Sequence, residues 1–231
     1  MKRIILKSMT LFFLGLTLVS CDNNDDVYYY YIENPDVAHG ILVNASPNSG
    51  DLYFHADENQ INSGAINYGT AVGYFNFSLG ERLFSLLNTS GDTLASTEFV
   101  VEDHQVFGLF AVNTFNQIEL FVDVEENVNP NSSHAAVRFI NLSPDSQPIT
   151  VSVSSGNVVT ELGFKEVSGF IEFEDGEYDF TFSDTATGIT LFSDTSMNLY
   201  GNRIYTVYTK GFVSPPSGSN DTFSTEYYWH Y

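Results

Sequence analysis

The sequence predicts an all-β protein with two tandem, immunoglobulin-like antiparallel β-sandwich domains after an N-terminal export signal. Three observations support this. Apolar and polar residues alternate with a period of two, turn-forming clusters recur about every 8 to 12 positions, and similar segments return about 97 residues later. No sustained apolar pattern of period 3.6 follows the export signal, so we expect helices to be short or absent.

Residues 1–20 have the composition of a secretory signal peptide. Three basic residues precede an apolar run from Met9 to Val19, which at about eleven residues is too short for a transmembrane helix. The letters LVSC, which end at Cys21, resemble the lipobox of bacterial lipoproteins. The resemblance implies a lipoprotein signal peptide and acylation of Cys21, which would attach the mature chain to a membrane.

The mature chain is strongly acidic. Loss of three of the eight basic residues with the signal peptide leaves five against 29 acidic residues, a formal charge of −24. Nucleic-acid binding relies on basic side chains that neutralise phosphates, so we expect no nucleic-acid partner. Cys21 is the sole cysteine, and the domains must therefore be stabilised by their cores without a disulfide framework.

Residues 21–36 are acidic and rich in tyrosine, and we interpret them as a tether. An acidic run after a lipidated cysteine resembles the surface-export signal of Bacteroidetes lipoproteins. The rival comparison is the enterobacterial rule by which Asp22 would retain the protein at the inner membrane. We expect a lipid-anchored cell-envelope protein and favour the outer membrane or cell surface over the inner membrane.

One phrase occurs twice: VNASPNS begins at Val43 and INLSPDS begins at Ile140. The correspondence continues outward, with turn glycines and large apolar residues in equivalent places and single-residue shifts in the loops. Positions 96 to 98 residues apart include Asn44 and Asn141, Tyr68 and Phe164, Gly80 and Gly176, Phe84 and Phe180, and Phe107 and Tyr205. This pattern indicates a tandem domain duplication.

The predicted strands have one buried and one solvated face. Ile149, Val151 and Val153 alternate with polar residues, and Tyr178, Phe180 and Phe182 do the same. The predicted order is a signal peptide (1–20), a tether (21–36), β-sandwich repeat 1 (37–124), a linker (125–134), β-sandwich repeat 2 (135–212) and a C-terminal tail with a last strand (213–231).

Several segments of the second copy resemble the bacterial lipoprotein domain known as domain-of-unknown-function family 4397. They are VRFINLSPDSQPITVSV, FKEVSGF, DGEYDFTF and RIYTVYTKG. The first copy departs from this pattern, with Arg82 in place of Tyr178 and FGLFAV as its closing strand. The resemblance covers about residues 38 to 212 in two tandem copies and implies a fold and an envelope location, without catalytic residues.

The repeated phrase and the tail contain the candidate binding residues. In N-x-S-P-x-S the proline ends a strand, and the Asn and Ser side chains can form a structural turn. The alternative is a loop-end ligand site of Asn44, Ser46, Asn141 and Ser143. In the tail, Tyr227, Tyr228 and Trp229 could stack on sugar rings or anchor a partner, or they could simply cover a sheet edge.

We expect no enzymatic activity, cofactor or metal. No catalytic motif is present, and His55 with Asp57 supplies only two candidate metal ligands. The predicted function is a non-catalytic binding or scaffold module, with the membrane and an envelope protein or surface polysaccharide as partners. The alternatives are a carbohydrate or surface-polymer binding module and an envelope glycoside hydrolase or other hydrolase.

Overall fold

The computed structural model describes residues 37–230; the predicted signal peptide, Cys21 and the predicted tether lie outside this range. One short 3₁₀-helix, Phe115–Gln117, interrupts the strands. The first eight strands are β1 Val37–Asn44, β2 Leu52–Ala56, β3 Asn59–Gln60, β4 Ala71–Ser78, β5 Gly80–Asn88, β6 Thr93–Val101, β7 Val106–Val112 and β8 Glu119–Val124. The second eight are β9 His134–Asn141, β10 Ile149–Val153, β11 Val158–Leu162, β12 Ile171–Glu174, β13 Gly176–Asp184, β14 Thr190–Leu199, β15 Ile204–Lys210 and β16 Ser224–His230.

The two halves of the chain repeat one topology. The first half forms a sheet of order β4-β1-β7-β8 and a sheet of order β3-β2-β5-β6. The second half forms β12-β9-β15-β16 and β11-β10-β13-β14, which is the same arrangement with eight added to each strand number. The structure therefore confirms the predicted all-β fold and the duplication. It also makes β16 the equivalent of β8, so the C-terminal strand is an integral part of the second sandwich.

The sheets are mixed, where the sequence predicted antiparallel pairing. Most neighbouring strands are antiparallel, but β1 pairs in parallel with β7, and β9 pairs in parallel with β15. In each pair the two strands are separated along the chain by one strand of their own sheet, β4 or β12, and by the four strands of the opposite sheet. The connecting chain is therefore long enough to bring the second strand back in the same direction as the first.

Each sandwich contains its own apolar core. Phe54, Phe84 and Phe107 lie in the first core. Phe139, Phe180 and Phe182 lie in the second, together with Ile149 and Val151. The alternation read from β10 and β13 is thus confirmed, because their apolar positions face the inside of the sandwich.

A third apolar core joins the two sandwiches. It lies between the sheets β4-β1-β7-β8 and β12-β9-β15-β16, whose outer faces contact each other. Its buried members are Ile41, Val43, Ala45, Phe110 and Val112 from the first repeat and Ile140, Leu142, Tyr208 and Tyr228 from the second. Strands β1, β7, β9 and β15 are consequently buried on both faces, which explains why apolar residues occur at both odd and even positions of each strand.

Equivalent loops dock reciprocally across this interface. The loop before β4 contacts the second sandwich, where the Tyr208 hydroxyl donates to the Gly69 carbonyl at 3.2 Å and Lys210 Nζ lies 4.9 Å from the Tyr68 ring centroid. The loop before β12 contacts the first sandwich, where Lys165 Nζ donates to Glu119 Oε2 at 3.0 Å. The interface therefore has approximate two-fold character, as expected for duplicated domains.

Candidate functional site

The repeated phrase forms a corner in each sandwich, and its first Asn and Ser side chains are buried. Asn44 Nδ2 donates to the carbonyls of Gly50 and Ile66 at 3.0 and 3.1 Å, and its Oδ1 accepts from the Ser46 backbone N–H at 3.2 Å. Ser46 Oγ donates to the Asn113 carbonyl at 2.7 Å. The side chain of Asn44 thus joins the end of β1 to two loops of the same sandwich.

The second copy repeats this arrangement and extends it to β15. Asn141 Nδ2 donates to the Leu162 carbonyl at 3.2 Å, and its Oδ1 accepts from Thr209 Oγ1 at 2.7 Å. Ser143 Oγ donates to the Gly211 carbonyl at 2.7 Å.

The ligand-binding interpretation of the phrase is therefore wrong. Asn44, Ser46, Asn141 and Ser143 are all 0% exposed, and their side chains are hydrogen-bonded within the chain. A side chain that is completely covered and already satisfied cannot offer its polar atoms to a ligand. The structural interpretation, in which the phrase turns the chain at the end of a strand, accounts for these contacts.

A buried ionic network spans the boundary between the sandwiches. Arg138, on the interface face of β9, donates to Asp123 Oδ2 at 2.6 Å, to Glu125 Oε1 at 2.7 Å and to Thr206 Oγ1 at 2.8 Å. Its guanidinium carbon lies 5.3 Å from the Phe170 ring centroid. Because the two carboxylates belong to β8 and the linker, these charge-assisted bonds connect the repeats directly.

Burial shifts the pKa values of this network. It raises the pKa of the Asp123 carboxyl, although the charge of Arg138 acts in the opposite direction. Burial, followed by the negative charge of Glu125, raises the pKa of the Tyr228 hydroxyl. Burial also acts to lower the pKa of Arg138, but Tyr228 and the two carboxylates outweigh it, so the guanidinium remains charged.

Part of the network has the geometry of a hydrolytic relay. His230 Nε2 lies 2.8 Å from Thr206 Oγ1, and His230 Nδ1 lies 2.6 Å from Glu125 Oε2. A hydroxyl, an imidazole and a carboxylate in this order can activate a nucleophile when substrate reaches the hydroxyl. Thr206 is completely buried and already accepts a hydrogen bond from Arg138, so no substrate can reach its hydroxyl in this conformation. The arrangement therefore favours a structural role for the three side chains.

The tail residues fall on opposite faces of β16. Tyr228 is only 7% exposed and lies in the core between the sandwiches, so its proposed role in a surface site is wrong. Tyr227 and Trp229 are 47% and 40% exposed and lie opposite Val207 and Tyr205 of β15. The alternation of strand side chains separates Tyr228 from its neighbours and leaves two adjacent aromatic rings at the surface.

Tyr200 and Arg203 lie close to these exposed rings. The Arg203 guanidinium carbon lies 5.6 Å from the Tyr200 ring centroid and 5.8 Å from the Trp229 ring centroid. Tyr200 is itself exposed, and its backbone N–H donates to the Tyr205 hydroxyl at 3.1 Å. We call the group of Tyr200, Arg203, Tyr227 and Trp229 the aromatic edge.

Sequence reasoning identified only half of this edge. It singled out Tyr227 and Trp229 but missed Tyr200 and Arg203, which lie in a turn more than twenty residues away in the chain. It also missed Arg138, although a lone arginine within the apolar run AAVRFI is itself a signal of a buried ion pair.

The structure does not support a metal site at His55 and Asp57. Asp57 is engaged by Arg82, whose Nη1 lies 3.3 Å from Asp57 Oδ2. Within residues 37–230, no group of three or more His, Cys, Asp or Glu side chains has an arrangement that could hold a metal ion. Over the same residues, no helix has the length and apolar character required to cross a membrane.

These observations define an all-β protein made of two equivalent sandwiches. The chain belongs to the family of the domain of unknown function DUF4397, whose model matches residues 41–152 and residues 135–222. The two matches confirm the resemblance found in the sequence and its tandem character.

The remaining comparisons are distant. No match is found among curated proteins. The fimbrial anchor protein Mfa2 from Porphyromonas gingivalis is 8% identical, with a TM-score of 0.24, over 84% of this chain and 97% of that chain. The tip fimbrial protein Mfa3 from the same organism is 10% identical, with a TM-score of 0.26, over 84% of this chain and 99% of that chain. Likeness at this level carries no information on function.

Proposed function

We propose that the protein is a non-catalytic, lipid-anchored component of the cell envelope that acts as a binding or scaffold module. The observation that carries this proposal is the third core, which joins the two sandwiches into one unit. The ionic network of Arg138, Asp123 and Glu125 reinforces the same boundary. A rigid double domain on a lipid anchor is suited to presenting a surface at a fixed orientation.

The anchor is tested by labelling cells with a palmitate analogue. The wild type is expected to incorporate the label, and Cys21→Ser is expected to lose it and to be released from the membrane. Protease treatment of intact cells then locates the domains: digestion indicates the cell surface, and protection indicates the periplasm. An unlabelled wild type would contradict the proposed anchor.

A second candidate function is carbohydrate or surface-polymer binding, for which the exposed rings of Tyr227 and Trp229 provide the support. Aromatic faces with polar tips stack on sugar rings. If this function is correct, Trp229→Ala loses retention on a polysaccharide panel, whereas Val158→Ala, at an exposed position elsewhere on the second sandwich, does not. A scaffold without sugar affinity would instead co-purify with envelope proteins from crosslinked cells, with or without Trp229.

A further inference from the structure

We propose that the aromatic edge binds a carboxylate-bearing sugar unit, such as a uronic acid of an acidic polysaccharide. The inference rests on the proposed sugar-binding function and adds to it the chemical class of the ligand. Arg203 would bind the carboxylate, and the rings of Trp229 and Tyr227 would contact the sugar.

The guanidinium of Arg203 is arranged to bind a planar anion. The rings of Tyr200 and Trp229 lie 5.6 and 5.8 Å from its carbon. Cation–π contacts of this kind use the charge of the guanidinium and none of its N–H donors. Among residues 37–230, no side-chain or backbone acceptor takes a hydrogen bond from these donors. A carboxylate can therefore accept two parallel bonds there.

Arg203 also differs in charge pairing from the other basic residues of the described chain. Arg82 pairs with Asp57, Arg138 with Asp123 and Glu125, Lys165 with Glu119, and Lys210 with Glu226. Within the described range, Arg203 alone has no carboxylate partner. An unpaired arginine between two exposed rings is unusual in a chain with this excess of acidic residues, and it points to an anion supplied from outside.

The two remaining rings extend the surface along β16. Tyr227 and Trp229 are alternate residues of one strand, so their side chains lie on the same face about 7 Å apart. The buried Tyr205 is the partner of Trp229 on β15 and lies on the same face of the sheet, with its ring centroid 6.4 Å from that of Tyr227. A sugar ring held at Arg203 would lie beside these faces.

The size of the edge favours a sugar over a protein partner. A stable protein interface buries roughly 800 Å² on each side, with a continuous apolar centre. The exposed neighbours of the aromatic edge include Asn202 and Glu226, which interrupt such a centre. One or two ring faces with a bidentate donor are sufficient for a single sugar unit.

The net charge of the protein does not prevent this binding. Repulsion between exposed charges is largely screened beyond about 8 Å at physiological ionic strength. A bidentate contact acts at hydrogen-bond distance, where screening is weak, so local pairing at Arg203 can operate on an acidic surface.

The test is affinity electrophoresis of the detergent-solubilised, full-length protein. The gels contain polygalacturonate, alginate or hyaluronan, and the controls contain the methyl-esterified form of each polymer, which lacks the negative charge. The wild type is expected to be retarded by at least one acidic polymer and much less by its ester. Arg203→Gln is expected to weaken this binding about tenfold or more, as loss of a charged hydrogen-bonded pair predicts. Trp229→Ala removes a ring that contacts the sugar and is expected to weaken the binding about tenfold as well.

Arg82→Gln is the matched control, because it removes a partly exposed arginine that already has a carboxylate partner on the first sandwich. Its retardation by each polymer, measured relative to its own mobility in a polymer-free gel, should equal that of the wild type. Circular dichroism should show that all three variants are folded. Equal binding to acid and ester, or full binding by Arg203→Gln, overturns the inference. If Trp229→Ala loses binding and Arg203→Gln does not, the sugar-binding function stands without a role for the carboxylate, and the inference is overturned. If no polymer, acidic or esterified, retards the wild type, the inference and the sugar-binding function on which it rests are both overturned.

Discussion

At the scale of single residues, Phe180 tests the strand register. It is completely buried, and its ring centroid lies 5.2 Å from that of Phe139 and 5.5 Å from that of Phe173. Phe180→Ala removes these contacts and leaves a cavity, so we expect a loss of about 3 to 5 kcal/mol in the free energy of unfolding. Urea denaturation measures it.

The matched control for Phe180 is Val158→Ala. Val158 is 61% exposed on β11 of the same sandwich, so we expect a change within about 0.5 kcal/mol. A loss below about 1 kcal/mol for Phe180→Ala would contradict the buried position and, with it, the register of β13.

Arg138 allows a second prediction at this scale. Arg138→Met leaves the carboxylates of Asp123 and Glu125 without their buried partner, so we expect a loss of about 3 to 5 kcal/mol by urea denaturation. Arg82→Gln breaks a partly exposed pair and should cost no more than about 1 kcal/mol.

A charge-neutral version of the network separates charge from packing. If uncompensated charge causes the loss in Arg138→Met, adding Asp123→Asn and Glu125→Gln should recover part of the stability. A triple variant that is no more stable than Arg138→Met would indicate that Arg138 acts mainly through its packing on Phe170.

At the scale of elements, the corners around Asn44 and Asn141 should contribute similarly to the free energy of unfolding. Asn44→Ala or Asn141→Ala removes side-chain hydrogen bonds and leaves buried carbonyls such as Ile66 O and Leu162 O without these donors. We expect each change to cost about 1 to 3 kcal/mol, measured by thermal and urea unfolding. Asn157→Ala, at an exposed turn, is the control and should have little effect. Unchanged stability in both corner variants would mean that the phrase is not a structural turn.

The strands also show where sequence patterns succeed. β10 and β13 were predicted from alternation because they lie on the outer sheet of the second sandwich, with one face toward the core. β1, β7, β9 and β15 do not alternate, because both of their faces are buried. Continuous apolar runs indicate such strands but do not say what covers the second face.

At the scale of the whole molecule, the third core predicts coupled unfolding. Phe110 lies in this core on the first sandwich and is completely buried, whereas the sole tryptophan, Trp229, reports on the second. Phe110→Ala should lower stability by about 3 to 5 kcal/mol and shift the Trp229 fluorescence transition together with the circular dichroism transition, because the repeats share the lost packing.

Leu83→Ala, at an exposed position of the first sandwich, is the control and should leave both transitions in place. A Trp229 transition that does not move in Phe110→Ala would mean that the sandwiches unfold independently. The third core would then contribute little to holding them together.

The sequence by itself determined the duplication, the β fold and which residues of the outer strands face the core. It also gave the basis for predicting a lipobox at Cys21. These depend on local periodicity, turn chemistry and the spacing of equivalent residues, which are all written along the chain. The tertiary structure alone decided that the sandwiches pack face to face, that Asn44 and Asn141 are buried, and that Arg203 stands between Tyr200 and Trp229. Those facts depend on which distant surfaces meet, and the local pattern of a strand is the same whether its second face meets water or another sheet.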